Sequence, residues 1–221
     1  RRPTVAARRT AGLVLAVALL PAGASAQLTV HTTLASWLAA VSSPGVDTFN
    51  DIPFNQVFPS PIDRTAGPYA YRASAAGGFF ASGSFGDLQL STVTEGGSIV
   101  FSNFAPSVRG VGGFFFGTDD RTFFAPVSRI RLTAVGAAGT ETTTLINATT
   151  TTFWGVTSSA PLTSLTVGVD PIPGVRVWAS VNDFRLGAAG PTQVVPEPST
   201  WALVAGGLTA LGVVARRRRA A

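Results

Sequence analysis

The 221-residue sequence contains no cysteine, no lysine and no methionine, and His31 is its single histidine. Without cysteine the chain has no disulfide, thiol nucleophile, iron–sulfur cluster or cysteine-rich zinc site. Without lysine it has no P-loop lysine, no Schiff-base lysine and no Ser–Lys pair. A Ser–His–Asp arrangement would depend on His31 alone. These absences predict that the protein is not an enzyme.

Charge is also scarce, because charged residues make up 12% of the chain, about half the usual share of about 25%. All 16 basic residues are arginine, and half of them lie in the two ends of the chain. Between Gln27 and Val195, arginines are outnumbered by carboxylates, so this region is slightly acidic. A region without a basic stripe lacks the charge that nucleic-acid binding requires, and we expect no nucleic-acid partner.

Residues 1–26 have the pattern of a secretory signal peptide. Two pairs of arginines precede the apolar stretch AGLVLAVALL at 11–20, and Pro21 ends that stretch. Ala24 and Ala26 are the small residues that a signal peptidase reads, so cleavage is predicted just before Gln27. The pattern predicts signal peptidase and the general secretion machinery as partners.

The C-terminal end has the pattern of a short membrane anchor. Residues 195–221 read VPEPSTWALVAGGLTALGVVARRRRAA. Prolines keep the backbone of the linker at 191–198 extended, and the uncharged stretch at 199–215 is at the lower limit for a membrane helix. The segment 199–221 is therefore predicted to be a single membrane helix with an arginine-rich tail. The positive-inside rule predicts that this tail lies in the cytoplasm; its arginines are Arg216, Arg217, Arg218 and Arg219.

The same tail resembles the PEP-CTERM sorting signal of Gram-negative bacteria. The resemblance rests on the motif Val195, Pro196, Glu197 and Pro198, followed by an apolar helix with glycines and a terminal run of arginines. It implies that a membrane-embedded exosortase recognises the motif and cleaves near it. The inner-membrane precursor would then release its body to the cell surface or extracellular matrix, often in species that make exopolysaccharide. The same tail is also found on some proteins described as ice-binding.

The segment 27–190 is predicted to be one β-rich domain. A short helix is expected where Leu34, Trp37, Leu38 and Val41 follow a helical spacing. Strand patterns separated by turn-forming residues recur along the rest. They lie at 46–49, 69–74, 87–92, 98–104, 108–117, 128–135, 140–147, 164–169, 175–180 and 182–187. The predicted fold class is all-β, an antiparallel β-sandwich or jelly roll.

This segment also resembles the globular region of many PEP-CTERM proteins. The resemblance rests on the stretch 84–117, which contains GGFFFG, and on WASVNDFRLG at 178–187. It implies a lectin-like or carbohydrate-binding jelly roll.

Four residues form a candidate structural calcium site: Asp119, Asp120, Asn182 and Asp183. Oxygen ligands from such loops are those that calcium prefers. In the alternative interpretation, the two adjacent aspartates cap a turn and Asp183 pairs with Arg185 or Arg109. No other cofactor is expected.

Two further patterns have a functional and a structural interpretation. Consecutive phenylalanines at 79–80, 114–116 and 123–124 are suited to stacking on sugars. Four other rings would suit that role better: Trp154, Trp178, Tyr69 and Tyr71. In the alternative interpretation, the phenylalanines fill the core and a second small cluster. The threonine-rich run 140–152 is suited to ordering water or binding ice, or is simply an exposed strand rich in β-branched residues.

The predicted function is that of an exported surface or matrix protein that binds or is embedded in exopolysaccharide. The alternatives are an ice-binding or adhesin module and a weak carbohydrate hydrolase. A glycoside hydrolase needs two suitably spaced carboxylates, yet the segment 27–190 has only two glutamates, Glu95 and Glu141, and both lie in turn-like sequence.

The motif predicts that replacing Glu197 and Pro198 with alanine in a native host leaves the full-length precursor in the membrane fraction, because the processing enzyme no longer recognises it. Mass spectrometry of wild-type surface material should find chains that end near 195–198. The melting temperature of the segment 27–190 should be unchanged. Normal release of the variant, or mature protein that retains residues 201–219, would show that the tail is an ordinary anchor.

Overall fold

The structure is a computed structural model that describes residues 27–190 and the helical residues 206–209. The predicted signal peptide, with Ala24 and Ala26, lies outside the described residues, as do the Val-Pro-Glu-Pro motif and Arg216–Arg219. Most of the predicted membrane segment 199–221 also lies outside them. In the part of the chain that the structure describes, no helix has the length and apolar character needed to span a bilayer.

Fourteen strands and one short helix make up the segment 27–190. The first elements are β1 (Leu28–His31), α1 (Leu34–Ala40), β2 (Val41–Asp47), β3 (Val57–Phe58), β4 (Ile62–Ala66), β5 (Tyr69–Ala75), β6 (Phe79–Ser84) and β7 (Asp87–Thr92). They are followed by β8 (Ile99–Ser102), β9 (Val108–Thr118), β10 (Arg129–Gly136), β11 (Gly139–Ile146), β12 (Phe153–Ser158), β13 (Leu162–Val169) and β14 (Trp178–Ala189).

The strands form two antiparallel sheets that pack face to face. The eight-stranded sheet has the order β1-β12-β9-β14-β7-β6-β3, with β2 also paired to β14, and the six-stranded sheet has the order β11-β10-β13-β8-β5-β4. Alternate residues of each strand point into the space between the sheets. There Ile130, Leu132, Leu165, Val167 and Phe184 are completely buried in one apolar core. The prediction of an all-β antiparallel sandwich is confirmed.

The structure differs from the predicted strands at several places. Residues 178–180 and the stretch 182–187 belong to one strand, β14, which begins at Trp178, and its pairing with β9 shifts between Asn182 and Arg185. Asp183 has a positive φ there, so the strand continues through an irregularity. Five strands were not predicted from the sequence: β1, β3, β4, β6 and β12. They are short or rich in small and polar residues, and they form because neighbouring strands pair with them.

The predicted short helix is present as α1 and lies on the face of the eight-stranded sheet that points away from the core. Its one buried residue, Trp37, packs with Val41 and Phe153 in a second, small apolar cluster. A side chain at Gly155 would come within 2.6 Å of the Trp37 ring, and one at Gly110 within 3.2 Å. The two glycines therefore make room for the tryptophan directly against the sheet.

A buried carboxylate joins the two sheets along one edge. Asp47, on β2, accepts hydrogen bonds of 2.6 and 2.7 Å from Arg64 on β4, and another of 2.6 Å from the Tyr71 hydroxyl on β5. Burial alone would lower the pKa of Arg64, but its hydrogen bonds to Asp47 and Asp51 raise it. Burial, and then the Asp47 carboxylate, raise the pKa of Tyr71. Arg64 is thus kept charged and the tyrosine neutral.

The second tyrosine of the chain connects the same sheets. Tyr69 lies two residues before Tyr71 on β5, so both side chains point into the sandwich. The Tyr69 hydroxyl donates to the Ser43 carbonyl at 3.0 Å and accepts from the Ala188 backbone N–H at 3.1 Å. Both partners belong to the eight-stranded sheet. The two tyrosines and Asp47 therefore fix how β5 sits against β2 and β14.

We expect Asp47→Asn to lower the free energy of unfolding of the segment 27–190 by about 3 kcal/mol, because it leaves the mostly buried Arg64 guanidinium with an exposed partner only. Urea unfolding followed by circular dichroism measures this change. Asp63→Asn is the matched control, because it removes an aspartate from an exposed pair with Arg72 and should cause no measurable loss. Equal effects of the two variants, or a helix-dominated spectrum of the parent segment, would contradict this account.

Candidate functional site

Helix α1 covers one half of the outward face of the eight-stranded sheet. The other half of that face carries the candidate site. On β6, β7, β9 and β14, every second side chain points away from the core. Four of these are hydroxyl side chains that form a continuous line across the strands, namely Ser82, Ser91, Ser180 and Thr118. The oxygens are 2.7, 2.7 and 2.9 Å apart in that order. All four residues are at most 2% exposed, so this outward-pointing face is covered.

A loop between β9 and β10 lies over this face. Its turn is held by Asp119, whose carboxylate accepts the backbone N–H groups of Arg121 and Phe123, both at 2.9 Å. Thr122 in this turn borders two cavities on the outward face, one on each side. The loop therefore divides the face into two neighbouring cavities, which together we call the outer groove.

The first cavity of the outer groove has a volume of about 230 Å³ and lies at the N-terminal end of β14. The Trp178 side chain, on β14, lines it and donates from Nε1 to the Val93 carbonyl at 3.1 Å. The Arg176 guanidinium lies 5.1 Å from the centre of the Trp178 ring. The other lining residues are Phe80, Ser91, Thr92, Val93, Thr118, Asp119, Asp120 and Thr122.

The second cavity has a volume of about 400 Å³ and is mostly polar. Asn182 donates from Nδ2 to the Asp87 carboxylate at 2.8 Å, which joins β14 to the start of β7. The other lining residues are Gly83, Ser84, Gln89, Thr122, Phe123, Phe124, Thr150 and Thr151. Trp178 and Asn182 are four residues apart on β14, so the two cavities together extend over at least about 13 Å.

Two exposed aromatic rings stand beside the outer groove. Phe123, in the covering loop, is 69% exposed and lines the second cavity. Phe85 is 92% exposed and lies in the turn between Ser84 and Asp87, which both line that cavity. A group of exposed apolar side chains rimmed by polar residues is typical of a surface that contacts a partner. The site thus combines exposed rings with hydrogen-bonding side chains.

The structure places the four candidate calcium ligands at two positions of the outer groove. Asp119 and Asp120 follow Thr118, which pairs with Trp178, and they line the first cavity. Asn182 lies four residues further along β14 and lines the second cavity. Asp183 pairs with Arg185 at 2.8 Å. Among residues 27–190 and 206–209, no group of three or more histidines, aspartates and glutamates is placed to hold a metal.

The phenylalanine runs divide between the two faces of their strands. Phe79 and Phe115 are completely buried in the main core, and Phe114 packs against the small cluster around Trp37. The structural interpretation therefore holds for these three rings. Phe80, Phe123 and Phe124 instead line the outer groove.

The threonine run does not form one row. Thr140, Thr142 and Thr144 are exposed along β11 of the six-stranded sheet, whereas threonines 149–152 lie in a turn on the way to β12. On the same sheet, Thr142 pairs with Thr133, whose hydroxyl lies 3.3 Å away.

The candidate acid–base residues lie far apart in the fold. His31 is on β1 at an edge of the eight-stranded sheet, where Nε2 contacts the Thr157 hydroxyl at 2.9 Å and burial lowers its pKa. Glu95 follows β7 and pairs with Arg176, whereas Glu141 is on β11 of the other sheet. In the described part of the chain, the two glutamates therefore do not face a common site.

The sequence analysis missed the residues that matter most in the outer groove. The line of buried hydroxyls and the pair of Asp87 and Asn182 were not identified as a site. A signal was present in β7, where Gln89 and Ser91 alternate with Leu88 and Leu90. Such alternation predicts a polar outward face, but not that a loop would cover it.

Comparison with known proteins identifies the C-terminal tail. Residues 194–219 match the family model described as the PEP-CTERM protein-sorting motif. The chain carries a PEP-CTERM sorting signal. The predicted resemblance of the tail is confirmed. No curated protein and no solved structure is significantly similar to the chain.

The PEP-CTERM signal defines the export and processing route of this protein. It indicates an exported protein of a Gram-negative bacterium that is processed by an exosortase from a membrane-anchored precursor. The motif lies directly after the β-sandwich, which ends with β14 at Ala189. The exported part is therefore the domain that carries the outer groove.

We expect Ser180→Ala to lower the free energy of unfolding by about 1–2 kcal/mol, because it leaves the buried hydroxyls of Ser91 and Thr118 each with one partner fewer. Urea unfolding of the segment 27–190 measures the change. Ser74→Ala is the control, because Ser74 is half-buried on the six-stranded sheet and forms a long bond of 3.4 Å; its effect should stay below about 0.5 kcal/mol. Equal effects would mean that the hydroxyl line does not stabilise the sheet.

Proposed function

We propose that this PEP-CTERM protein is a non-catalytic component of the cell surface or extracellular matrix that binds an uncharged exopolysaccharide in the outer groove. The observation that carries the proposal is the outer groove itself: two adjoining open cavities on one sheet face, beside the exposed rings of Phe123 and Phe85. A pyranose ring offers an apolar face for stacking and hydroxyls for hydrogen bonds. The groove offers partners for both.

The hydrogen-bonding side chains of the groove support a sugar ligand. Gln89 and Asn182 present amide groups, and Asp87 presents a carboxylate with one oxygen bonded to Asn182. Amides and carboxylates bind vicinal hydroxyls because they can donate or accept two hydrogen bonds side by side. Thr150 and Thr151 add hydroxyls along the same cavity.

The charge of the groove supports an uncharged polymer rather than an acidic one. Its lining residues include Asp87, Asp119 and Asp120 and no arginine. Arg176, beside the first cavity, is bonded to Glu95 at 2.7 Å and lies 3.5 Å from Asp120. Among the lining residues, a uronate or sulfate group would therefore meet carboxylates and no cation, and such like-charge contacts are unfavourable.

Binding without hydrolysis is supported by the positions of the carboxylates. Glycoside hydrolysis needs a proton-donating carboxyl with a raised pKa opposite a second carboxylate. Glu95 is bonded to an arginine, and Asp119 is occupied by two backbone N–H groups of its own turn. Both carboxylates are therefore already engaged by hydrogen-bond donors.

An ice-binding role is the second candidate, and the cross-strand contact of Thr142 with Thr133 favours it. Thr166 on β13 pairs with Thr133 from the other side, so three threonines lie in line across three strands. This surface is on the six-stranded sheet, away from the outer groove. The two roles can therefore be tested separately on one preparation.

We expect the exported protein to be retarded in native gels that contain a neutral glucan and to be unaffected by alginate, an acidic uronate polymer. Phe123→Ser should weaken binding to the glucan about fivefold to tenfold, because the exposed ring no longer stacks on the sugar. The control Leu38→Ser changes an exposed apolar side chain on α1, at the far half of the same sheet face, and should bind as the parent does.

Several results would overturn the proposal. Retardation by alginate alone would contradict the charge argument, and equal behaviour of the Phe123 and Leu38 variants would place binding elsewhere. Release of reducing ends from the glucan would identify a hydrolase. Ice shaping by the parent protein that is lost in Thr133→Lys, with no retardation by any glucan tested, would favour the second candidate.

A further inference from the structure

The longest open edge of the sandwich is β11. Within residues 27–190, five strands pair on one side only: β1 with four residues, β2 with seven, β3 with two, β4 with five and β11 with eight. Strand β11 pairs with β10 along its whole length, and within residues 27–190 no strand pairs with its other side. In an antiparallel ladder every second residue turns its backbone N–H and C=O away from the partner. These groups of β11 form no backbone hydrogen bond elsewhere in the described residues.

Strand β11 has few of the features that normally protect an edge. Natural proteins protect edge strands with lysine, proline, bulges, inward-pointing charges or short length. The sequence GTETTTLI has no lysine and no proline and keeps a regular register with β10 throughout. Its one charge, Glu141, lies on the half-buried face of the strand. By contrast, β4 carries Asp63 and Arg64, and the latter is tied to Asp47 on β2. A long strand with a single protecting charge is suited to adding another strand.

The side chains of β11 favour a second copy of the same strand as that partner. In a two-fold antiparallel pairing centred on Thr143, Thr142 of each copy lies opposite Thr144 of the other. Glu141 then lies opposite Leu145, so the two carboxylates do not face each other and no like charges are opposed. Ile146, which is 68% exposed, lies opposite Thr140. Pairs of β-branched residues across strands are favourable.

We propose that β11 is a self-association edge, through which two copies of this protein join their six-stranded sheets into one continuous antiparallel sheet. The arrangement is isologous, with the same strand contributed by each copy. It leaves the outer groove of each copy free, because the groove lies on the other sheet. This inference does not depend on what the groove binds.

The test is sedimentation velocity of the exported, processed protein over a range of concentrations. We expect a monomer–dimer equilibrium in the parent. The paired changes Thr142→Lys and Thr144→Lys place lysines opposite each other across the two-fold axis and should weaken dimerisation by at least about tenfold. The control changes Thr166→Lys and Ser74→Lys put the same charge on inner strands of the same sheet and should leave the dimer intact.

Hydrogen exchange provides a second measurement that needs no variant. The outward N–H groups of β11 should exchange more slowly as the protein concentration rises, while amides of β1 and β4 should not respond. A parent that stays monomeric at every concentration overturns the proposal, as does a dimer that survives the β11 changes. Protection of β11 that is independent of concentration also overturns it, because a segment of the same chain would then cover the edge.

Discussion

The hydrogen-bonded line of Ser82, Ser91, Ser180 and Thr118 is the interaction on which the open half of the eight-stranded sheet depends. A hydroxyl buried without a partner costs free energy, and in this line each hydroxyl finds a partner on the next strand. The line therefore holds β6, β7, β14 and β9 in one register while leaving their outward face polar. A polar, covered face is what allows the β9–β10 loop to lie on it and form the walls of the outer groove. With apolar residues at these positions, the same face would pack as a second core.

The few charges of the sandwich are used mainly to join its parts. Asp47 and Arg64 connect the two sheets, and Arg176 connects the end of β7 to the covering loop through Glu95 and Asp120. Because these arginines are paired with carboxylates, they do not form a basic surface. The unpaired negative charge that remains lies largely at the outer groove. This division between paired charges, which join parts of the sandwich, and unpaired carboxylates at the groove explains how a domain with few charges can be rigid at its edge and still present a polar site.

The fold was predictable where the pattern of side chains repeats with the period of a strand. Strands β7, β9, β10 and β13 lie close to where the alternation of apolar and polar residues puts them. Strand β14 was divided in the prediction between Ser180 and Asn182, whereas the pairing with β9 continues through this point with an irregularity within the strand. Strands such as β6, FFASGS, have little preference of their own. Pairing with a neighbour stabilises them, and a single strand in isolation does not carry that information.

By itself, the sequence determined the route of the protein and the class of its fold. The sorting motif is a linear pattern that an enzyme reads in an extended chain, and binary patterning of apolar residues is enough to specify two packed antiparallel sheets. Only the tertiary structure decided which side chains meet. Ser82 and Ser180 are almost one hundred positions apart, yet they belong to one line of hydrogen bonds, and Asp87 meets Asn182 in the groove. Strand order and register place such residues together in space, and neither can be read from local sequence.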